Sequence, residues 1–110
     1  MVTWKQCNAY EEAENVTKCL YVFKKGDSYL YIGKAKRFGG PSGRYAYGYR
    51  YLVDALLASG ATLFLAKLTE EQWESVKDYE NTLISSCKGK KALNRQRVKS
   101  FKQIQGLEGP

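Results

Sequence analysis

Residues 19–35, CLYVFKKGDSYLYIGKA, contain two runs of β-branched and aromatic residues on either side of a polar turn. Two such runs around a glycine-containing turn predict an antiparallel β-hairpin. A three-residue loop at residues 26–28 places Tyr21 opposite Gly33 and puts Tyr21 and Tyr31 on the same face. A two-residue loop would put these two tyrosines on opposite faces, so the predicted register depends on the turn.

Side chains alternate between the two faces of a strand, and the three-residue loop therefore divides this hairpin into two contrasting faces. One face is aliphatic and suited to burial under helices: Leu20, Val22, Leu30 and Ile32. The other face is aromatic: Tyr21, Phe23, Tyr29 and Tyr31. Aromatic packing across the strands would explain the rings without any chemistry. A reactive surface is the alternative.

The chain outward from the hairpin predicts the element order β-β-α-β-α. This order indicates an α/β (α+β) fold, with a small antiparallel sheet of about three strands and both helices packed on one shared core. A capping sequence at Thr69, with Gln72 three residues later, opens the last helix. The predicted elements beyond the hairpin are one or two helical turns in residues 1–17, a helix over 44–59, a strand over 62–67 and a helix over 70–87.

The length of 110 residues predicts one domain, residues 1–110. Within it we expect an N-terminal extension at residues 1–17, a motif-bearing core at 18–94 and a basic C-terminal segment at 88–110. The formal net charge is +7, and residues 81–107 contain no acidic residue. Nucleic acid is the natural partner of such a segment, although a solvated basic tail is the alternative. Its basic residues are Lys88, Lys90, Lys91, Arg95, Arg97, Lys99 and Lys102.

The absence of histidine restricts the chemistry that the chain can perform. Zinc sites and Ser-His-Asp or Cys-His catalysis are nearly excluded, because the three cysteines have no CxxC spacing and no imidazole base exists. Any general base must be Tyr, Lys, Asp or Glu. No membrane span or signal-peptide pattern is present. We therefore expect an intracellular protein that is cytoplasmic, or nuclear in a eukaryote.

Glu80 interrupts the apolar stripe of the last predicted helix, four residues after Val76 and three before Leu83. A carboxylate turned toward a core is costly unless a cation neutralises it. The cation could be a lysine, which would make Glu80 a structural residue, or a metal ion, which would make it functional. Because buried carboxylates are rare, the sequence favours a functional role.

Five short motifs follow one another after Thr17: residues 19–21 (CLY), 31–33 (YIG), Arg44, 80–84 (ENTLI) and 92–94 (ALN). In this order they resemble the GIY-YIG nuclease superfamily. The second tripeptide is unaltered, whereas Cys19 and Leu20 replace the family's Gly and Ile. A glycine-rich insert before Arg44 changes its spacing, so Arg37 is an alternative for the family's arginine. The family's His or Tyr after that arginine would here be Tyr47 or Tyr49.

The resemblance implies a metal-dependent DNA endonuclease. Glu80 would hold one Mg²⁺ or Mn²⁺, and Arg44 would neutralise charge on the phosphate. Tyr21 would be the general base, with a pKa lowered by nearby positive charge from Lys34, Arg44 and the metal, and Tyr31 would position water or phosphate. Asn94 would order the site. The DNA-binding residues implied are Lys36, Arg37, Lys88, Lys90, Lys91, Arg95, Arg97 and Lys99.

Two other functions are open at this stage. A catalytically silent nucleic-acid-binding module would keep the fold and the basic residues, and a protein-interaction domain would bury Trp4, Trp73 and several tyrosines in an interface. The expected partner of the nuclease is double-stranded or branched DNA. Double-strand cleavage would need a homodimer or sequential nicks, a partner protein would direct target choice, and no membrane is expected.

Overall fold

The computed structural model describes residues 1–87 and 100–110. Several sequence predictions therefore lie outside the described residues. They concern Lys88, Lys90, Lys91, Asn94, Arg95, Arg97 and Lys99.

The hairpin consists of strands β2 (Thr17–Lys25) and β3 (Ser28–Arg37). Tyr21 pairs with Gly33, as the sequence predicts, but the loop has two residues rather than three, because Lys25 pairs with Ser28. Gly26 has φ +59°, the value that a type II′ turn needs at its first central position. The three-residue loop was therefore wrong.

A β-bulge near the turn shifts the register of the hairpin by one residue, between Phe23 and Lys24. Phe23 pairs with Tyr31 while Lys24 pairs with Tyr29, so Leu30 is an extra residue on β3. The bulge keeps Tyr21 and Tyr31 on one face and moves Tyr29 to the other, among the aliphatic residues. Leu30 packs on the side of Tyr21. The predicted assignment of Tyr29 and Leu30 to faces was therefore wrong, because a bulge breaks the alternation.

Four antiparallel strands form the sheet, in the order β1-β4-β2-β3. The prediction of about three strands missed β1 (Trp4–Cys7), which pairs with β4 (Thr62–Lys67) at the sheet edge. One helical turn, α1 (Tyr10–Ala13), follows β1. Tyr10 and Ala13 are fully buried, so α1 contributes side chains to the core.

Two hydrophobic clusters lie on opposite faces of the sheet. The first, called here the tyrosine face, contains Cys7, Tyr10, Ala13, Cys19, Tyr21, Phe23, Ala35, Phe38, Tyr45, Val53, Leu63 and Leu65. The second, called the glutamate face after Glu80, contains Leu20, Val22, Tyr29, Ile32, Ala66, Leu68, Tyr79, Leu83, Ile84, Cys87 and Leu107. The expectation of one core shared by both helices was wrong. The protein is an α+β fold with helices on both faces.

The helices differ from their predicted limits in two places. Helix α2 (Arg50–Ala58) covers the tyrosine face and begins only after a 3-10 turn at Tyr47–Tyr49, so Arg44 is not on a helix. The last helix is split at Ser75 into α3 (Glu70–Glu74) and α4 (Val76–Ser86).

The capping box at Thr69 is present as predicted: the Gln72 backbone N–H donates to Thr69 Oγ1 over 3.1 Å, and the Thr69 N–H donates to Gln72 Oε1 over 2.9 Å. The final residues, 100–110, pack along α4. The Ile104 backbone N–H donates to Thr82 Oγ1 over 3.1 Å. Within the described parts of the chain, no helix is long and apolar enough to span a bilayer.

Candidate active site

Tyr21 lies across Gly33 on the tyrosine face. A Cβ atom at position 33 would overlap the Tyr21 ring, so only glycine leaves room for the tyrosine opposite it. The glycine of the YIG tripeptide is therefore explained by packing against the tyrosine of the preceding strand. Both residues belong to the motifs on which the resemblance depends, and the strand register places them opposite each other.

Tyr21 is the centre of an aromatic cluster. Its ring stacks on Tyr31 at 5.9 Å between centroids with an interplanar angle of 19°, and it meets Phe38 and Tyr45 edge-on at 5.5 Å each. Tyr21 is only 1% exposed. Burial raises the pKa of Tyr21 well above its usual value, hydrogen bonding with Tyr45 raises it further, and the charge of Arg44 lowers it only in part. The phenol form is thus strongly favoured.

Arg44 is the cation of this cluster. It lies in the turn between β3 and α2, where its backbone N–H donates to the Arg37 carbonyl over 2.8 Å. Its Cζ lies 5.1 Å from the centroid of the Tyr45 ring, a cation–π geometry. The pKa of Arg44 is raised by Tyr21 and by a hydrogen bond with Tyr31, although burial opposes the increase. Among the described residues Arg44 forms no salt bridge.

Lys34 and Glu80 form a second group on the opposite face. Lys34 pairs with Leu20 across the strands and therefore points to the glutamate face, where α4 packs. Its Nζ donates to Glu80 Oε1 over 3.1 Å. The Glu80 side chain is 10% exposed and that of Lys34 is 32% exposed. The buried carboxylate thus has the lysine partner that the sequence argument offered as one of its two possible cations.

The two groups meet at the edge of the sheet. Strand β3 is the outermost strand, so Tyr31 and Lys34 lie on its two faces beside an edge without a further strand in the described sheet. Only the short segment 31–34 separates the Tyr31–Arg44 side from the Lys34–Glu80 side.

A metal ion at this edge would depend on Glu80. Residues 1–87 and 100–110 contain no group of three or more acidic or thiol side chains that could enclose an ion. A single carboxylate does fit a Mg²⁺ ion that keeps several waters and takes further oxygens from a bound phosphate. The residues present therefore suit a metal held mainly by substrate and water.

The other predicted residues occupy different settings. Arg37 donates to the Gly39 carbonyl and to Asn15 Oδ1, both over 2.8 Å, and so holds the loop that leads to Arg44. Lys36 is exposed. Tyr47 and Tyr49 are 59% and 57% exposed, because the 3-10 turn directs both away from the core. Among the aromatic ring pairs of the described residues, neither tyrosine pairs with Tyr21.

Tyr45 is the residue of this site that sequence reasoning missed. It is buried, meets the Tyr21 ring edge-on at 5.5 Å and lies under the Arg44 guanidinium. Tyrosines at positions 45, 47, 49 and 51 alternate with other residues, and their spacing does not distinguish the buried one. Adjacency to Arg44 was the one available signal.

No protein-family model, curated protein or solved structure matches this chain. The assignment of function therefore depends on the residues described above.

Proposed function

We propose that this protein is a metal-dependent DNA endonuclease that hydrolyses a phosphodiester bond at the outer edge of β3. The observation that carries the proposal is the edge-strand segment 31–34, which presents Tyr31 on the tyrosine face and, on the glutamate face, Lys34, whose Nζ donates to the nearly buried Glu80 carboxylate over 3.1 Å. Buried ionised groups of this kind are rare in cores and concentrate at functional sites. The sequence resemblance to the GIY-YIG superfamily supports the same conclusion.

Arg44 is the phosphate-binding residue in this proposal. Its side chain is exposed and contacts Tyr31 and Tyr45, while the described acidic residues leave it without a salt-bridge partner. A planar guanidinium matches two phosphate oxygens and stabilises the charge that develops on them during hydrolysis. The tyrosines that contact it restrict its conformations before the substrate arrives.

Tyr31, rather than Tyr21, is the tyrosine placed to contact the attacking water. Tyr21 is buried beneath other rings, and its raised pKa disfavours the phenolate that a general base requires. Tyr31 is only partly buried and stacks on Tyr21. We therefore assign contact with water to Tyr31 and the positioning of Tyr31 to Tyr21.

Glu80 would hold the divalent ion, and Lys34 would orient its carboxylate. When bound, Mg²⁺ or Mn²⁺ supplies charge stabilisation at the phosphate and the leaving oxygen. Binding of the ion requires that Glu80 share its carboxylate between Lys34 and the metal. The partly exposed Lys34 side chain has room to turn toward solvent or toward the DNA backbone.

The experiment is cleavage of supercoiled plasmid with Mg²⁺, Mn²⁺ or EDTA, comparing Glu80→Gln with Glu74→Gln. Glu74 is exposed at the end of α3 and is the matched control. We expect nicking by wild type and by the control with either metal, and at least a 100-fold loss for Glu80→Gln. Equal nicking by Glu80→Gln and wild type contradicts the proposal, and so does equal nicking in EDTA.

A second variant separates turnover from binding. Arg44→Ala should lower the nicking rate about 100-fold while weakening DNA affinity only a few-fold, because its interaction is strongest in the transition state. Lys25→Ala, at the exposed hairpin tip, removes the same charge as a control. Parallel losses of rate and affinity in Arg44→Ala would argue that Arg44 only binds.

A catalytically silent DNA- or RNA-binding module is the second candidate. It is favoured by the burial of Tyr21 and by the direct ion pair that occupies Glu80. Such a protein would bind nucleic acid in a gel shift, with salt-dependent affinity, and would cleave none of the substrates with either metal. A protein-interaction domain would show neither binding nor cleavage.

A further inference from the structure

An open groove of about 480 Å³ lies on the tyrosine face, between the outer edge of the hairpin and helix α2. Phe23, Leu30, Tyr31 and Tyr45 line it from the sheet side, and Leu52 and Leu56 line it from α2. Its volume falls within the range of small-molecule sites in proteins. Its walls are almost entirely apolar, since the Ser59 hydroxyl, which also lines it, already donates to the Leu56 carbonyl over 2.7 Å.

The β-bulge contributes to this groove. Leu30 is turned onto the tyrosine face, where it lines the wall beside Tyr31. Across from it, Leu52 is 40% exposed although it lies on the lining side of α2. Leu52 thus adds an exposed apolar side chain to a concave wall that already contains aromatic rings.

The groove adjoins the candidate active site through two of its wall residues. Tyr31 stacks on Tyr21 along one side. The Cζ atom of the Arg44 guanidinium lies 5.1 Å from the centroid of the Tyr45 ring. A phosphate held by Arg44 would therefore lie beside an apolar, aromatic slot. Phosphate next to a flat aromatic group is the arrangement found in a nucleotide.

We propose that this groove binds one unpaired nucleobase of the nucleic-acid strand whose phosphate contacts Arg44. The inference rests on the proposed function and names its substrate class: DNA with an unpaired base, as in a bulge, a branch or a single strand. The base extends the Tyr21–Tyr31 stack. A perfectly paired duplex must first extrude a base to fill the groove and is bound less well.

Charge favours a nucleobase over an apolar protein segment as the occupant. Arg44, whose guanidinium lies over the ring of the groove residue Tyr45, has no carboxylate partner among the described residues. The walls offer few hydrogen-bonding groups to the edge of a base. Recognition therefore depends on stacking, which every base supports, and we expect little sequence preference.

The test is binding in EDTA, which prevents cleavage, of two otherwise identical duplexes. One contains a single-nucleotide 2-aminopurine bulge, and the other pairs 2-aminopurine with thymine. Fluorescence of the base reports stacking, and anisotropy of an end label reports affinity. We expect the bulged duplex to bind about tenfold more tightly, with its fluorescence quenched further on binding, since stacking on aromatic side chains is worth about 1–3 kcal/mol per base.

A matched pair of variants assigns the effect to the groove. Ala55→Trp fills the groove from an exposed position on α2, while Ala58→Trp places the same side chain on an exposed position that does not line it. Ala55→Trp should abolish both the preference and the quenching, and Ala58→Trp should keep both. Leu52→Glu, a second groove variant at an exposed site, should lower the preference in the same direction.

Equal affinity for the two duplexes overturns the inference, and so does a bulge preference that survives both Ala55→Trp and Leu52→Glu. These outcomes leave plasmid nicking in Mg²⁺ as a separate result. Nicking without a bulge preference would support the nuclease proposal and contradict the proposal of a base-binding groove. A groove-dependent bulge preference without any cleavage would keep the base site and reject the nuclease.

Discussion

Polar groups are accommodated differently on the two faces of the sheet. On the tyrosine face, neutral phenols lie among rings, and the nearby charge of Arg44 stays exposed. On the glutamate face, the Lys34–Glu80 ion pair lies beside aliphatic residues. The first arrangement depends on shape, because rings fit around a glycine. The second depends on charge, because a buried carboxylate needs a cation. The two faces should therefore respond to different perturbations.

The largest expected effect is loss of the central ring. Tyr21→Ala should lower the free energy of unfolding by about 3–5 kcal/mol, because it empties the centre of a packed aromatic cluster. Urea unfolding followed by circular dichroism measures this change. Tyr47→Ala, at an exposed tyrosine, should change stability by no more than about 0.5 kcal/mol. Similar losses in the two variants would show that the cluster is not close-packed.

The fit between Tyr21 and Gly33 gives the next effect. Gly33→Ala should cost about 1–3 kcal/mol, because the added methyl group would overlap the tyrosine ring. In a Tyr21→Ala background the same change should cost almost nothing, since the obstacle is gone. A double-mutant cycle in urea measures this coupling. An unchanged cost in both backgrounds would place the strain in the backbone instead.

Alkaline pH should weaken the tyrosine face through Cys19. Burial raises the pKa of the Cys19 thiol to about 12. The unfolded chain releases this proton near pH 8.5, at about the ordinary cysteine pKa, while the folded chain keeps it. Stability is therefore full below that pH and falls as pH rises toward 12, by up to about 1.4 kcal/mol per pH unit.

Urea midpoints between pH 8 and 11 test this dependence. In Cys19→Ala, the unfolding free energy should depend less steeply on pH, by the equivalent of close to one proton. Val53→Ala, a change on the same face that removes no ionisable group, should keep the full slope. Parallel curves for Cys19→Ala and wild type would mean that other groups, such as Tyr21, carry the whole alkaline loss.

The smallest effect concerns the glutamate face. A double-mutant cycle of Lys34→Met and Glu80→Gln should give a coupling of about 1 kcal/mol, because the carboxylate is nearly buried while the lysine is partly exposed. The surface pair Lys18–Glu70, whose Glu70 side chain is 80% exposed, should give a smaller coupling in the cycle Lys18→Met and Glu70→Gln. Equal couplings would mean that burial does not strengthen the Lys34 pair.

Sequence reasoning succeeded where a residue pattern maps directly onto geometry. The hairpin, the capping box at Thr69 and the buried position of Glu80 followed from local propensity and helical spacing. It failed where tertiary packing decides. Strand β1 has too short an apolar pattern to be recognised, and the two-faced core depends on which side of the sheet each helix crosses. Tyr45 could not be separated from its tyrosine neighbours, because only the fold shows which of them is buried.

The extra residue at Leu30 has a consequence for how chains of this kind can change in length. Without it, the two-residue turn would continue into a regular ladder that still sets Phe23 opposite Tyr31. A deletion at this one position should therefore leave both motif tyrosines in place and remove only a wall of the groove. The number of residues between the two tripeptides is therefore not fixed by the pairing of the two strands. Sequence patterns written for this hairpin should allow a gap between them.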